Sequence, residues 1–131
     1  MKRIKGFTLI EMLTVLALIG LLTGLAWPSF QGFQQRAQRT LAKVALLKAA
    51  HWMERMASSQ GRYPSVMPEG VWQSPDMRYR LELQNLDAAF VLKAVPTGTQ
   101  SKDACATLTL NQAGERGVQG ATLPAGVCWG H

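Results

Sequence analysis

A single carboxylate, Glu11, lies inside an apolar run of 21 residues that extends from Phe7 to Trp27. The run is long enough to cross the hydrocarbon core of a membrane as one helix. A charged side chain inside such a helix costs about 2.5–3.5 kcal/mol on insertion scales. Glu11 is therefore expected to have a partner that offsets this cost, and an ordinary membrane anchor gives no reason for it.

Two cysteines, Cys105 and Cys128, are the second set of residues that could do covalent chemistry. A disulfide between them would close a loop of about 20 residues, which contributes about 3 kcal/mol in the chain-entropy model. A zinc site does not fit, because two cysteines without a nearby histidine pair do not make one. The sequence predicts a structural disulfide.

The other polar residues form no catalytic constellation in the sequence. His51 lies in the middle of a predicted helix and His131 is the last residue, and neither accompanies a nucleophile. Ser29, Ser58 and Ser74 lie in contexts typical of turns and caps. The glycine-rich C-terminal stretches lack a phosphate-loop lysine, and the aspartates are too scattered for a calcium loop. We expect no enzyme activity, no cofactor and no metal site.

Three basic residues, Lys2, Arg3 and Lys5, precede the apolar run. They supply half of the formal net charge of +6, so the chain without them carries +3. Basic residues in front of an apolar segment stay in the cytoplasm, which places the C-terminal part across the membrane. That compartment is oxidising in bacteria and allows the two cysteines to pair.

The N-terminus allows three interpretations. A secretory signal peptide would be cut near Ala26, but Glu11 and the poor mature start at Trp27 disfavour it. A plain single-span anchor leaves Glu11 unexplained. Cleavage on the cytoplasmic side, between Gly6 and Phe7, would create a new amine about one helical turn from Glu11.

The segment Lys5–Met12, with the sequence KGFTLIEM, closely resembles the type IV prepilin signature. The resemblance implies that a dedicated prepilin peptidase cuts after Gly6 and N-methylates Phe7. It also implies that Glu11 neutralises the Phe7 amine of a neighbouring subunit, and two opposite charges buried together offset each other's desolvation. In this family, Gly20 and Pro28 match positions that bound a segment able to lose helicity in the filament.

Residues 29–59 are predicted to form an amphipathic helix that continues the apolar run and ends near Ser58. Pro28 is expected to interrupt the helical pattern, because it lacks an N–H and clashes with the preceding turn. The predicted apolar stripe consists of Leu41, Ala45, Ala49, Trp52 and Met56. Arg36, Arg39 and Lys43 are predicted to project from the opposite side.

The remainder of the chain is predicted to cover that stripe. A loop occupies 60–77, and a sheet with the cysteines occupies 78–131. The predicted strands are Tyr79–Leu83, Phe90–Val95 and Thr107–Leu110, with a short fourth strand within Asn111–Gly120. Short consecutive strands with short turns indicate an antiparallel sheet.

The downstream residues extend the resemblance to short minor pilins of type IVa, through the pairs Tyr63-Pro64, Val95-Pro96 and Cys128-Trp129 among others. The resemblance implies an α+β ladle fold, with a long N-terminal helix, a small antiparallel sheet and a C-terminal disulfide loop. It implies a cleaved leader at 1–6, a hydrophobic transmembrane and assembly segment at 7–28, and a globular head at 29–131.

Basic residues of the head raise the hypothesis of DNA binding. The candidates are Arg78, Arg80, Lys93, Lys102 and Arg116. Trp72 or Trp129 could stack on bases. The alternative is a solvated sheet face with ordinary core tryptophans, and the mild charge of +3 favours this alternative.

The sequence therefore predicts a type IV pilus subunit, a minor pilin in the first instance, that resides in the bacterial inner membrane and then in the extracellular pilus or its tip complex. Its expected partners are other pilins, major and minor, the inner-membrane assembly platform and prepilin peptidase. Adhesion, aggregation, twitching motility and DNA uptake are the functions such a pilus serves. The alternatives are a DNA-uptake receptor, an adhesion or aggregation modulator, and a secretion-system pseudopilin, which the C-terminal cysteine pair disfavours.

Overall fold

The computed structural model describes residues 6–68, 70, 77–86 and 88–130, apart from the side chains of 26–29. Two compact units, Met1–Gln34 and Gln35–His131, divide the chain. We call the first the N-terminal unit and the second the head. The candidate stacking residue Trp72 lies outside the described residues, as does Ser74.

Helix α1 extends from Leu9 to Gln60 and comprises 52 residues. It ends where Gly61 adopts a left-handed φ of 74° and donates its N–H to the Ala57 carbonyl at 2.8 Å. This glycine cap is a standard helix stop, because glycine has no Cβ to clash in that conformation. The predicted end near Ser58 is confirmed to within two residues.

The helical backbone continues through Pro28, so α1 is the single helix predicted from the apolar run to about Ser58, and the expected interruption is not a break in it. A proline inside a helix removes one hydrogen bond and costs about 3 kcal/mol. Long helical segments on both sides oppose a break, because extending a helix adds a hydrogen bond for each residue whereas starting a new one is costly.

Four antiparallel strands form one sheet in the order β1-β2-β3-β4. The strands are β1 (Tyr79–Asn85), β2 (Phe90–Pro96), β3 (Thr107–Asn111) and β4 (Arg116–Gln119). A 3₁₀ turn at Gly98–Lys102 follows β2, and a short helix α2 at Ala125–Trp129 follows β4. The three predicted strands, the short fourth strand and the antiparallel arrangement are confirmed.

The core of the head lies between one stripe of α1 and one face of the sheet. The helix buries Ala42, Ala45, Leu46, Ala49 and Met53. The sheet buries alternate residues, as expected for strands with one covered face; they are Tyr79, Leu81, Phe90, Leu92, Ala94, Leu108 and Leu110. Three alanines in the helical stripe allow the helix to approach the sheet closely.

The predicted helical stripe is correct at its centre and wrong at its start. Ala45 and Ala49 are buried, Trp52 and Met56 are half-buried, and Leu41 is 44% exposed. Its neighbour Ala42 is buried instead. Leu41 and Ala42 precede Ala45 by four and three residues, and both spacings fit an apolar stripe. The larger apolar side chain is not the one that faces the sheet.

The disulfide Cys105–Cys128 joins the segment before β3 to α2 and is fully buried, which confirms the predicted pair. In α2, the Trp129 indole N–H donates to the Gly117 carbonyl of β4 at 3.0 Å. Because β4 is the last strand of the sheet, this contact covers part of an edge that would otherwise expose unpaired backbone groups.

Candidate functional site

The N-terminal unit exposes its apolar side chains. Every described residue from Gly6 to Leu25 is exposed, and Phe7 reaches 83%. Helix α1 is long and apolar enough to cross a membrane by length and composition, with a mean hydropathy of 2.2 over its most apolar window. This surface is suited to lipid or to other apolar helices, because water makes exposure of so much apolar area unfavourable.

Polar groups within the apolar run are bonded inside their own helix. The Thr14 hydroxyl donates to the Ile10 carbonyl, and the Thr23 hydroxyl donates to the Ile19 carbonyl at 2.9 Å. A hydroxyl in hydrocarbon needs such a partner, because no water is there to replace it. The helix is therefore suited to a dry environment.

Glu11 forms a capping box with Thr8 at the start of α1. Its carboxylate accepts hydrogen bonds from the Thr8 N–H at 2.8 Å and from the Thr8 hydroxyl at 2.9 Å. The Glu11 N–H donates back to the Thr8 hydroxyl oxygen at 3.3 Å. Sequence reasoning missed this role, although the T-x-x-E spacing is the recognised signature of such a cap.

The predicted cleavage site precedes the helix. Gly6 and Phe7 are exposed and lie in irregular backbone before α1 begins at Leu9. A protease needs access to the backbone that it cuts, and an exposed junction outside the helix allows such access. Gly20 lies within the helix with open space around the position of a Cβ. Cleavage, the loss of helicity between Gly20 and Pro28, and the pairing of Glu11 with a neighbouring Phe7 amine stay predictions.

A buried polar network in the head centres on Asp103, whose side chain is 1% exposed. Arg39 of α1 forms a bidentate ion pair with this carboxylate, with Nε to Oδ2 at 3.0 Å. The Tyr79 hydroxyl donates to Oδ2 at 2.7 Å, and the Gln100 amide donates to Oδ2 at 3.1 Å. The network connects α1, β1 and the segment just before Cys105.

Arg39 was predicted to point away from the sheet, and this prediction is wrong. Its side chain is 13% exposed, and the paired charge of Asp103 offsets the cost of burying the cation. The hydrogen bond with Asp103 raises the pKa of Arg39. Burial alone would raise the pKa of Asp103, but hydrogen bonds from Arg39 and Tyr79 outweigh it and lower that pKa. Burial, assisted by the bond to Asp103, raises the pKa of Tyr79.

The five basic candidates do not share one surface. Arg80 and Lys93 lie on the outer face of the sheet, where Lys93 is opposite Glu82 in the strand register and Arg80 pairs with Glu82 at 2.8 Å. Arg78, just before β1, donates to Thr99 at 3.0 Å, and Lys102 is exposed in the 3₁₀ turn.

Arg116 lies on the opposite face from Arg80, since it is paired with the buried Leu110 in the register of β3 and β4. Its guanidinium lies over the Trp129 ring, 5.5 Å from the centroid. Trp129 itself is only 6% exposed. The hypothesis that Trp129 stacks on bases is therefore wrong, because its ring is covered and its N–H is used.

Described residues of the head line open cavities, and two of them are of interest here. One of about 520 Å³ is lined by residues that follow α1, including Arg62 and Tyr63. The other, of about 300 Å³, lies between α1 and the β3–β4 turn, with His51 and Arg116 on its wall. Among the described residues, no group of three or more histidine, cysteine, aspartate or glutamate side chains could hold a metal ion.

Comparisons with known proteins match both parts of the chain. A family profile described as "Prokaryotic N-terminal methylation motif" matches residues 1–27. A second, described as "Type IV minor pilin ComP, DNA uptake sequence receptor", matches residues 28–109. The fimbrial protein of Pseudomonas aeruginosa is 46% identical over 52 residues, which cover 38% of this chain and 34% of the relative. The chain thus spans about a third of the length of the first curated relatives it matches.

Solved structures extend the similarity to the head. A type IV pilin from Shewanella oneidensis is 33% identical with a TM-score of 0.58, and the match covers 74% of this chain and 99% of that one. The non-core minor pilin PilV of Neisseria meningitidis shares the fold at 21% identity, a TM-score of 0.57, and coverage of 71% and 94%. On these matches, and on the motif, sheet and disulfide described above, the chain belongs to the type IV pilin family.

Proposed function

We propose that this chain is a minor subunit of a type IV pilus. The observation that carries the proposal is the N-terminal unit, in which an exposed apolar helix starts with a capped Glu11 beside an accessible Gly6–Phe7 bond. Such a helix is complete only when lipid or neighbouring helices cover it. The similarity to the minor pilin PilV and to the minor pilin ComP supports the minor role.

In the proposed sequence of events, the apolar helix first holds the chain in the inner membrane. Peptidase cleavage after Gly6 then frees the Phe7 amine. This cation and the Glu11 carboxylate of an adjacent subunit pair when the helices pack, because either charge alone in the apolar filament core costs several kcal/mol. The pairing sets the axial position of the subunit, while the apolar side chains provide the non-specific attraction.

A cleavage-blocked variant tests the proposal. Gly6→Val is expected to leave the chain in the inner-membrane fraction at its full length and to remove it from sheared pili. Gly24→Ala is the matched control, because the position of its Cβ meets open space and alanine favours a helix. Recovery of uncut Gly6→Val from pili at the control level would contradict the proposed processing.

A second candidate function is that of a DNA-uptake receptor. The match of residues 28–109 to the ComP family favours it, because that family is described as a receptor for a DNA uptake sequence. The full chain in neutral detergent is then expected to bind duplex DNA with an affinity that falls steeply with salt. The absence of salt-sensitive binding would remove this candidate and leave the pilus-subunit proposal in place.

A further inference from the structure

Arg116 at the start of β4 is held in a fixed position by its neighbours. Its guanidinium lies 5.5 Å from the centroid of the Trp129 ring, and this indole is itself fixed by its hydrogen bond to the Gly117 carbonyl. A guanidinium stacked on an aromatic face keeps its N–H edges free to donate in the plane of the group. Arg116 is exposed, so these donors can reach a ligand.

Lys43 of α1 adds a second cation next to the first. Its ammonium nitrogen lies 3.8 Å from the position that a Cβ would occupy on Gly130, beside the end of α2. Burial lowers the pKa of Lys43, and the positive charges of Arg39 and Arg116 lower it further. Lys43 therefore lies close enough to Arg39 and to Arg116 to be repelled by each of them.

Only one of these three charges is compensated within the described part of the chain. Arg39 pairs with Asp103, whereas the two ion pairs found among the described residues include neither Lys43 nor Arg116. Two neighbouring cations that form no ion pair are unfavourable unless an anion joins them.

The space next to Arg116 can receive an anionic group. The cavity of about 300 Å³ has Arg116 on its wall together with the polar side chains of His51, Asn111 and Gln112. Glu54 also lines the cavity, but its carboxylate accepts a hydrogen bond from the Tyr63 hydroxyl at 2.9 Å. The Asn111 amide already donates to the Glu115 carboxylate at 2.6 Å, so Arg116 is the cation that this wall offers to an anion.

We propose that Lys43 and Arg116 form a site for the backbone phosphates of duplex DNA, beside α2 at the β4 edge of the sheet. The proposal rests on the DNA-receptor candidate function. Arginine binds phosphate through two parallel N–H donors, and a lysine nearby adds a point charge. The outer face of the sheet is a weaker candidate, because Glu82 already pairs with Arg80.

The test uses the full chain in neutral detergent and a short fluorescein-labelled duplex, with anisotropy measured across a salt series. Lys43→Gln and Arg116→Gln are each expected to weaken binding severalfold and to reduce the slope of log affinity against log salt by about 1. The double variant is expected to reduce it by about 2. Arg80→Gln, on the outer face, is the matched control and is expected to leave the slope near that of the wild type.

The outcomes separate the site from the function. Wild-type slopes in both Lys43→Gln and Arg116→Gln, with a loss in Arg80→Gln, would overturn the site but keep DNA binding. No binding by the wild type would overturn both.

Arg116→Lys distinguishes a phosphate contact from a structural role, because it keeps the charge and loses the stacking. It is expected to retain the wild-type slope, and a slope like that of Arg116→Gln would overturn the role of charge.

Discussion

Helix α1 exposes every residue from Leu9 to Leu25, whereas between Ala42 and Met53 it buries five side chains against the sheet of the head. The two regions also differ in the burial and the hydrogen-bond donors of their acidic side chains. In the head, Asp103 is buried with a full set of donors from the same chain. In the N-terminal unit, the donors that the described residues offer to the Glu11 carboxylate belong to Thr8, and Glu11 remains exposed.

This contrast in burial indicates where each region obtains its stability. The head contains its own core, disulfide and charge pairs, so it is expected to fold without the apolar helix. In the N-terminal unit, the described side chains from Phe7 to Leu25 are exposed, so the free energy of this helix depends on what surrounds it. Substitutions in the head are therefore expected to change unfolding, and substitutions at the N-terminus are expected to change assembly.

The largest effect is expected for Glu11→Gln, measured as the amount of the subunit in sheared pili. Glutamine keeps the capping box with Thr8 but removes the charge, which leaves the Phe7 amine of a neighbour unpaired in an apolar core. Incorporation is expected to fall by a factor on the order of a hundred, since an unpaired buried charge costs several kcal/mol.

Thr8→Val is the matched control for Glu11→Gln. It removes the cap, which costs about 1 kcal/mol, and keeps the carboxylate. It is expected to reduce incorporation much less than Glu11→Gln does. Equal losses in the two variants would mean that Glu11 acts as a helix cap and not as a counter-charge.

In the head, Asp103→Ala is expected to lower the free energy of unfolding by about 3–5 kcal/mol, because it leaves the buried Arg39 cation without its partner. Chemical denaturation of the fragment from Gln35 onward measures this loss. Glu82→Ala breaks the exposed pair with Arg80 and is expected to cost at most about 1 kcal/mol. Similar losses in both variants would show that burial does not strengthen the Arg39–Asp103 pair.

The disulfide is expected to contribute somewhat less. Cys105→Ser should lower the free energy of unfolding of the head by about 2–5 kcal/mol, with about 3 kcal/mol expected from the length of the loop. Cys128→Ser should give the same loss, and the wild type with its disulfide reduced should match both. An unchanged melting temperature in the serine variants would show that the bridge does not support the fold.

The smallest of these effects is the dependence of head stability on pH. The pKa of Asp103 in the folded protein lies below its ordinary value of 3.8, so the folded state binds the proton more weakly than the unfolded state does. The stabilisation is complete above the ordinary pKa and is lost as the pH falls through the lower, folded pKa.

The free energy of unfolding is therefore expected to stay level from neutral pH to about pH 5 and to fall below about pH 4. Asp103→Asn, which cannot titrate at this position, is expected to lose less over the same interval. Parallel curves for the variant and the wild type would assign the acid dependence to other carboxylates.

Much of this architecture could be predicted from sequence because its signals are local. The strands and the prepilin motif are patterns of contiguous residues. The disulfide follows from the two cysteines of the chain, which can form one pair. The Arg39–Asp103 pair could not be predicted, because its members are 64 residues apart and only the docking of α1 on the sheet brings them together. The same docking determines that Ala42, and not Leu41, faces the core.

The basic residues show the same limit. The sequence does not indicate that Arg116 lies on the opposite sheet face from Arg80, because the face depends on the register of β4 against β3. The Lys43–Arg116 pair was missed for the same reason. By contrast, the Thr8–Glu11 cap was available in the sequence, because its three-residue spacing is a local signal.

Intact mass spectrometry of this chain recovered from sheared pili tests the claim that Glu11 pairs with the Phe7 amine of a neighbouring subunit. Cleavage after Gly6 predicts a chain that begins at N-methylated Phe7, which provides the amine that Glu11 requires. A chain that begins at Trp27, or one that retains Met1, would contradict the claim, because the Phe7 amine would then not exist.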